Sequence, residues 1–464
     1  MWPAERRATA ESGEKEEQST IYSLMKIADL SQIVSNTKKA ASQAVNATAQ
    51  AIDTHLLSAE ERVSILDQEL QKGADLSVIR LVDLLIERAQ SARASDVHLD
   101  PRATGMVVRL RIDGVLRDVH TLPVGIHNEV ISRLKILCGL RTDEHQAAQD
   151  GRFRVMLEDG KSVDVRASIV PTYYGENAVL RLLSDQAEEF TLESLGFTKA
   201  NQEKILRAIQ KPYGMILATG PTGSGKTTTL YTLVKMMNIP DVSIITIEDP
   251  VEYSISGINQ IQINARTGLT FANGLRSLLR QDPNIIMVGE VRDMETAGLA
   301  VNTALTGHLV LSTLHTNDAP TTLPRLLDMK VEPYLIASTV NVAIGQRLVR
   351  RICKHCKEER AMTPAEAKSL SEVMPADLIR AHAVFYAGKG CDACGGTGYR
   401  GRAGLHEVME IDNPVRDAIL RKASANDIRD VAIKAGMVPI MMDGFHKAAQ
   451  GITTIEEVLR MRYE

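Results

Sequence analysis

No apolar run in this sequence approaches the ~18–20 residues that a helix needs to span a bilayer. The stretch from Met1 to Gln18 is charged throughout and has no apolar signal-peptide core. These two absences predict a cytoplasmic chain whose association with a membrane is peripheral or through partners. Aromatic residues make up only 4% of the chain, so its cores are expected to be aliphatic. Five cysteines in 464 residues are too few for a disulfide scaffold. The net charge of −4 offers no bulk attraction for nucleic acid, which leaves only a local basic patch as a route to such a partner. Internal repeats are also lacking.

The length fits roughly three domains of ordinary size. Residues 1–75 are read as poorly structured or weakly helical: a Glu/Lys/Ser-rich start gives way to an Ala/Gln/Asn/Thr-rich stretch around Ala40–Ala51. Residues 76–184 read as an α+β domain. Ile79, Leu81, Val82, Leu84, Leu85 and Ala89 recur at helical spacing. Strand signals follow at Val107–Ile112, Val155–Leu157, Val163–Ser168 and Val179–Leu183, with Asp113-Gly114 and Asp159-Gly160 as turns. Residues 185–195 read as a polar linker. Residues 196–464 alternate strands and helices in an α/β pattern with a mainly parallel sheet, and residues 405–464 read as a mainly helical C-terminal part.

The strongest motif is Gly220-Pro221-Thr222-Gly223-Ser224-Gly225-Lys226-Thr227, preceded by the apolar run Met215–Thr219 and followed by the helical pattern from Thr228. Strand, glycine-rich turn and helix give a mechanism: backbone N–H groups and the helix N-terminus surround phosphate oxygens. Lys226 can reach the β- and γ-phosphates, and the Thr227 hydroxyl can ligate Mg²⁺. Three further apolar runs end in polar groups: Ile244–Ile247 in Glu248-Asp249-Pro250, Ile285–Gly289 in Glu290, and His308–Leu314 in His315. Carboxylates at strand ends sit at the mouth of an α/β sheet, where one can hold Mg²⁺ or its water.

Cys353-x₂-Cys356 and Cys391-x₂-Cys394 have the spacing of a closed, structural Cys₄ zinc site, within a small subdomain at 350–402. Cys138 stands alone in an apolar context and reads as core. Arg109, Arg111, Arg154, Arg166 and Arg181 lie on the first domain's expected strands, and Arg276 and Arg280 precede Gln281-Asp282-Pro283. Arginine suits phosphate clamping, and it equally suits a solvated strand face.

From about Ser91 onward the chain resembles the secretion ATPase superfamily, in particular the type II secretion and type IV pilus assembly ATPases. Gly220–Thr227 looks like the family's Walker A motif and Ile247–Tyr253 like its Asp box. Leu278–Asp293 looks like its Walker B region, and Thr306–Ala319 like its His box. Ala94–His98, Arg111–Gly114 and Gln149–Arg152 are similar to signatures of its second N-terminal domain. The resemblance implies an α/β fold: a RecA-like P-loop NTPase core, a PAS-like α+β N-terminal domain, a Cys₄ zinc subdomain and a helical C-terminal part.

The same resemblance implies a homohexamer that binds ATP, Mg²⁺ and a structural Zn²⁺. Thr228 and Asp249 would join the phosphate loop in holding nucleotide. Arg109, Arg111, Arg166 and Arg181 would close on the phosphates. Glu248 and Glu290 would divide water activation and Mg²⁺ binding, while His308 and His315 couple nucleotide state to motion. The implied partners are an inner-membrane platform protein and a cytoplasmic adaptor, at the inner face of the cytoplasmic membrane, with no nucleic acid. Retraction ATPases characteristically lack the four cysteines, so an extension motor is favoured. The chain departs from the family at Leu140–Ala148, and the region before Leu76 is short for a first N-terminal domain. A RecA-like nucleic-acid translocase and a non-hydrolysing nucleotide-gated scaffold stand as competing readings.

Overall fold

A computed structural model describes residues 68, 76–157, 160, 162–184, 190–372, 374, 379 and 384–462. Apart from residue 68, the reading of residues 1–75 lies outside these, as do Asp159 and the first five residues of the expected linker. The chain divides into two compact units at the boundary between Asp185 and Gln186.

The first unit opens with α1 (Val78–Ser91), capped by the Ser77 side chain, which accepts from the Arg80 N–H. Its inner face is Leu81, Val82, Leu84, Leu85, Ile86 and Ala89. Strands β1 (Ala94–Arg102), β2 (Gly105–Ile112) and β3 (Val115–Leu122), helix α2 (His127–Leu137), and strands β4 (Gln149–Met156), β5 (Ser162–Thr172) and β6 (Gly175–Ser184) follow. They form one antiparallel sheet in the order β3-β2-β1-β6-β5-β4. Alternate residues such as Val163, Val165, Ala167 and Ile169 pack into one core with the two helices.

The second unit runs α3 (Lys199–Ile209), β7 (Gly214–Thr219), α4 (Lys226–Met237), β8 (Ile244–Glu248), β9 (Asn259–Gln262), α5 (Phe271–Leu278), β10 (Ile285–Val288), α6 (Met294–Leu305), β11 (Leu309–Leu314), α7 (Thr322–Asp328), α8 (Pro333–Thr339) and β12 (Val340–Ile352). After it come β13 (Lys357–Arg360), α9 (Pro364–Ser371), β14 (Phe385–Gly388), β15 (Tyr399–Glu410), α10 (Asn413–Leu420), α11 (Ala425–Lys434), α12 (Ile440–Ala449) and α13 (Ile455–Arg460).

Its main sheet has the order β15-β12-β7-β11-β10-β8-β9, parallel except for β15. Successive residues feed opposite faces: Met215, Leu217, Ile286 and Val288 enter one core, and Ile216, Ala218, Ile285 and Met287 the other. Both faces are covered, which is why these strands read as unbroken apolar runs. Strands β13 and β14 form a separate antiparallel pair.

The C-terminal part is mainly helical as expected, and two expected boundaries shift. Leu405–Glu410 is the end of strand β15 and not helix. Leu405, Val408 and Met409 mimic helical spacing, but every residue from Gly404 to Met409 is buried, so no alternation betrays the strand. Leu192, inside the expected linker, is buried in a core with Phe197 and Ile205, so packed structure begins before residue 196.

Candidate functional site

The phosphate loop joins β7 to α4, which starts at Lys226 with Gly225 as its left-handed N-cap. Gly220 has φ of 146°, and a Cβ there would fall 2.4 Å from the Gln346 carbonyl oxygen and 2.7 Å from Ser224 Oγ. Only glycine lets the loop pass so close to β12. Gln346 holds the loop from below, its Nε2 donating to the Ser224 carbonyl at 2.9 Å. Ser224 Oγ is buried without a hydrogen-bond partner among the described residues. Thr227 and Thr228 sit half-buried in the first helical turn, where the dipole adds positive character. Lys226 is buried, and its Nζ donates to the Gly220 and Pro221 carbonyls at 2.9 and 3.0 Å. Burial pulls Lys226 down to about 8; the Glu290 charge opposes this and the Arg347 charge adds to it. The glycine cradle, the orphaned hydroxyl and a lysine aimed at the loop fit a nucleotide phosphate chain.

Three adjacent parallel strands, β7, β11 and β10, deliver their carboxyl ends to this point. Glu290 follows β10, and its carboxylate meets His315 Nε2 at 3.2 Å and Arg292 Nε at 2.8 Å. Thr219, at the end of β7, is bound to the loop after β11: its Oγ1 donates to the Leu314 carbonyl at 3.1 Å and accepts from the Thr316 N–H at 3.1 Å. A cavity of about 490 Å³ opens beside the loop, lined by Thr222, Arg292, His315 and Arg325 among others.

Other expected residues are placed differently. His308 precedes β11 and so lies at the opposite end of that strand from His315, with its carbonyl accepting the Gly214 N–H. Glu248 is 2% exposed and enclosed by Tyr231, Thr246 and Gln260, unlike Glu290. Asp249 is exposed at the start of the following loop.

In the first unit the register brings Arg152, Arg166, Arg181, Asp96 and Arg111 into one row across five strands. Asp96 holds Arg181 Nε at 3.2 Å and Arg111 Nε at 3.3 Å. Arg109 lies two residues along from Arg111 and pairs with Asp100. Arg154 pairs with Asp164 at 2.6 Å. In the second unit Arg276 pairs with Glu295 at 2.6 Å, while Arg280 donates to the Ser277 hydroxyl.

The four cysteines meet. Cys353 follows β12 directly, and Cys391 and Cys394 flank a short turn before β15. Sulfur–sulfur separations are 3.8 Å (Cys353–Cys391), 3.9 Å (Cys356–Cys394) and 3.7 Å (Cys391–Cys394), and all four sulfurs lie within 4.8 Å of one another. A tetrahedron with metal–sulfur bonds of ~2.3 Å has edges of ~3.8 Å, so the cluster fits zinc. The Cys391 and Gly398 N–H groups each reach Cys394 Sγ at 3.2 Å, as donors to a thiolate should. Burial alone would raise Cys394; these donors and the neighbouring thiols bring it down to about 6.

Residues 71–460 match the family described as Type II/IV secretion system protein. The chain belongs to this family. It is 49% identical over 385 residues to the Thermus thermophilus Type IV pilus assembly ATPase PilB, covering 83% of this chain and 43% of that one. It is 46% identical over 391 residues to the Type II secretion system protein E of Xanthomonas campestris pv. campestris, covering 84% of this chain and 68% of the relative. The chain thus spans less than half the length of the Thermus relative. Among solved structures, the pilus retraction motor PilT with bound ADP aligns with a TM-score of 0.57 at 26% identity, covering 82% of this chain and 96% of that one.

Sequence reasoning missed Gln346, Arg347, Tyr231 and Gln260. Gln346-Arg347 could have been noticed as a polar pair inside the apolar run of β12. Nothing local marks Tyr231 or Gln260.

Proposed function

We propose that this chain is an ATP-hydrolysing subunit of a machine that assembles type IV pili or the pseudopili of type II secretion. The observation that carries the reading is the convergence of the phosphate loop, Glu290 and His315 at the ends of three neighbouring strands. Lys226 exchanges its bonds to the loop carbonyls for phosphate oxygens. Loop N–H groups and the α4 N-terminus orient the same oxygens. Thr227 would hold Mg²⁺, which when bound supplies charge neutralisation on the β- and γ-phosphates. Glu290, steadied by His315 and Arg292, orients the attacking water and takes up its proton. The four cysteines would hold a structural zinc ion with no open coordination position.

The names of the relatives support assembly or secretion over retraction, and the ADP in the PilT structure supports an adenine nucleotide. Extended to the whole machine, the reading is a homohexamer at the inner face of the cytoplasmic membrane, working on an inner-membrane platform protein. No helix among the described residues is long and apolar enough to cross a membrane.

The test is Mg²⁺-dependent ATP turnover by the purified chain. Lys226→Ala is expected to lower it at least ~100-fold, since it removes a preorganised charge from the transition state. Equal turnover by both proteins would refute the reading.

A further inference from the structure

Glu248 and Glu290 look alike in sequence, each capping an apolar strand, yet their surroundings differ. Glu248 Oε1 accepts from Thr246 Oγ1 at 2.5 Å and from Gln260 Nε2 at 3.2 Å. Its Oε2 accepts from the Tyr231 hydroxyl. Three of the roughly four lone-pair sites of a carboxylate are thus occupied. At 2% exposure, Glu248 is closed off from bulk solvent.

The partners come from separate elements. Tyr231 is fully buried on α4, five residues after Lys226, and its hydroxyl also accepts the Glu252 N–H at 3.3 Å. Gln260 stands on β9; its Nε2 donates to the Tyr253 carbonyl at 3.1 Å, and its Oε1 accepts the Ile255 N–H at 2.7 Å. Tyr253 stacks edge-on against Tyr231 with ring centres 4.7 Å apart. One carboxylate therefore gathers the helix of the phosphate loop, strand β9 and the segment 252–255. Burial pushes Glu248 up, while its three donors pull it back. Tyr231 is pushed well above the ordinary tyrosine range, by burial first and then by the Glu248 charge, so it stays a donor.

We propose that Glu248 is a positioning residue, which ties α4 through Tyr231 and β9 through Gln260 to the end of β8 and sets the segment after it against the helix carrying Lys226 and Thr227. It takes no proton from the attacking water and holds no metal. The inference rests on the ATPase reading given above.

The experiment compares ATP turnover, KM, its pH profile and Tm of the full chain with those of Glu248→Gln, Glu248→Ala, Tyr231→Phe, the Glu248→Gln/Tyr231→Phe pair and Glu290→Gln. Lys226→Ala serves as the reference for loss of hydrolysis. Glu248→Gln keeps the shape and one acceptor oxygen, and replaces the other with an NH2 group that can only donate. Its turnover is expected within about fivefold of the parent, with the pH profile unmoved, where Glu290→Gln falls at least ~100-fold. Glu248→Ala lowers Tm and turnover together, and glutamine at the same position restores most of both. The Tm losses of Glu248→Gln and Tyr231→Phe are non-additive, as for side chains in contact. Loss of turnover in Glu248→Gln as complete as in Glu290→Gln, at unchanged Tm and KM, overturns the proposal. If Lys226→Ala keeps parental turnover, it is the ATPase reading that fails instead.

Discussion

The phosphate loop and the four-cysteine knuckle are both glycine-rich turns at strand ends, and both have the chemistry of ligand sites. They differ in what the chain completes for itself. At the knuckle the sulfurs already stand at tetrahedral spacing, and two backbone N–H groups point at Cys394 Sγ. Gly388 and Gly398 run so close that a Cβ on either would collide with the other's carbonyl oxygen, which fixes the turn. At the phosphate loop the ligand-directed groups bond to one another: Lys226 to its own loop, Glu290 to His315 and Arg292. Those bonds must be exchanged before chemistry can occur. A closed site contributes stability and an exchangeable one contributes turnover. Strand β12 serves both, since Gln346 supports the loop and the strand ends at Ile352, beside Cys353.

The sharpest way to break this comparison is Glu290→Gln. Turnover should fall at least ~100-fold while nucleotide binding stays within a few-fold and Tm is unchanged; a drop in Tm would make Glu290 a structural group like the cysteines. Cys391→Ser should do the reverse. Its zinc content falls, and calorimetry should record a lower Tm, by roughly 2–4 °C for each kcal/mol lost.

A smaller effect concerns pH. Lys226 lies at about 8 in the free protein, below its usual 10.5. A bound anion favours its charged form and raises that value, so binding takes up a proton above pH 8. Nucleotide affinity should therefore be flat below pH 8 and fall by up to roughly tenfold between pH 8 and 9. A flat titration calorimetry profile to pH 9 would contradict this.

Smallest is the effect of Glu248 on stability. Its folded value is raised, so it favours the fold most at acid pH and progressively less as pH rises through that value. Glu248→Gln should thus gain stability relative to the parent as pH rises from 5 to 8, and a gap independent of pH would argue against a buried ionisable group.

The parts legible in sequence were those written in contiguous residues. Gly220–Thr227 needs only its own glycines, lysine and flanks, and two C-x₂-C pairs carry their own geometry. The buried strands of the α/β unit announced themselves by apolar runs. What stayed hidden depends on distant chain. Nothing in Ile-Ile-Thr-Ile-Glu says that Tyr231 and Gln260 will cover Glu248, or that the carboxylate of Glu290 will meet His315 and Arg292 instead. His308 and His315 bound the same apolar run in the sequence, and the six residues of β11 set them at opposite ends of one strand. The arginine row of the first unit exists only through strand register, which is how Arg152 came to join it.

The most direct test sets the two sites against each other in one set of preparations. Zinc content, Tm and Mg²⁺-dependent ATP turnover are measured for the parent, Lys226→Ala and Cys391→Ser. The account predicts a crossed result. Lys226→Ala keeps one zinc per chain and the parental Tm but loses turnover, and Cys391→Ser loses zinc and Tm. A Lys226→Ala protein with parental turnover, or a Cys391→Ser protein with parental zinc and Tm, would contradict it.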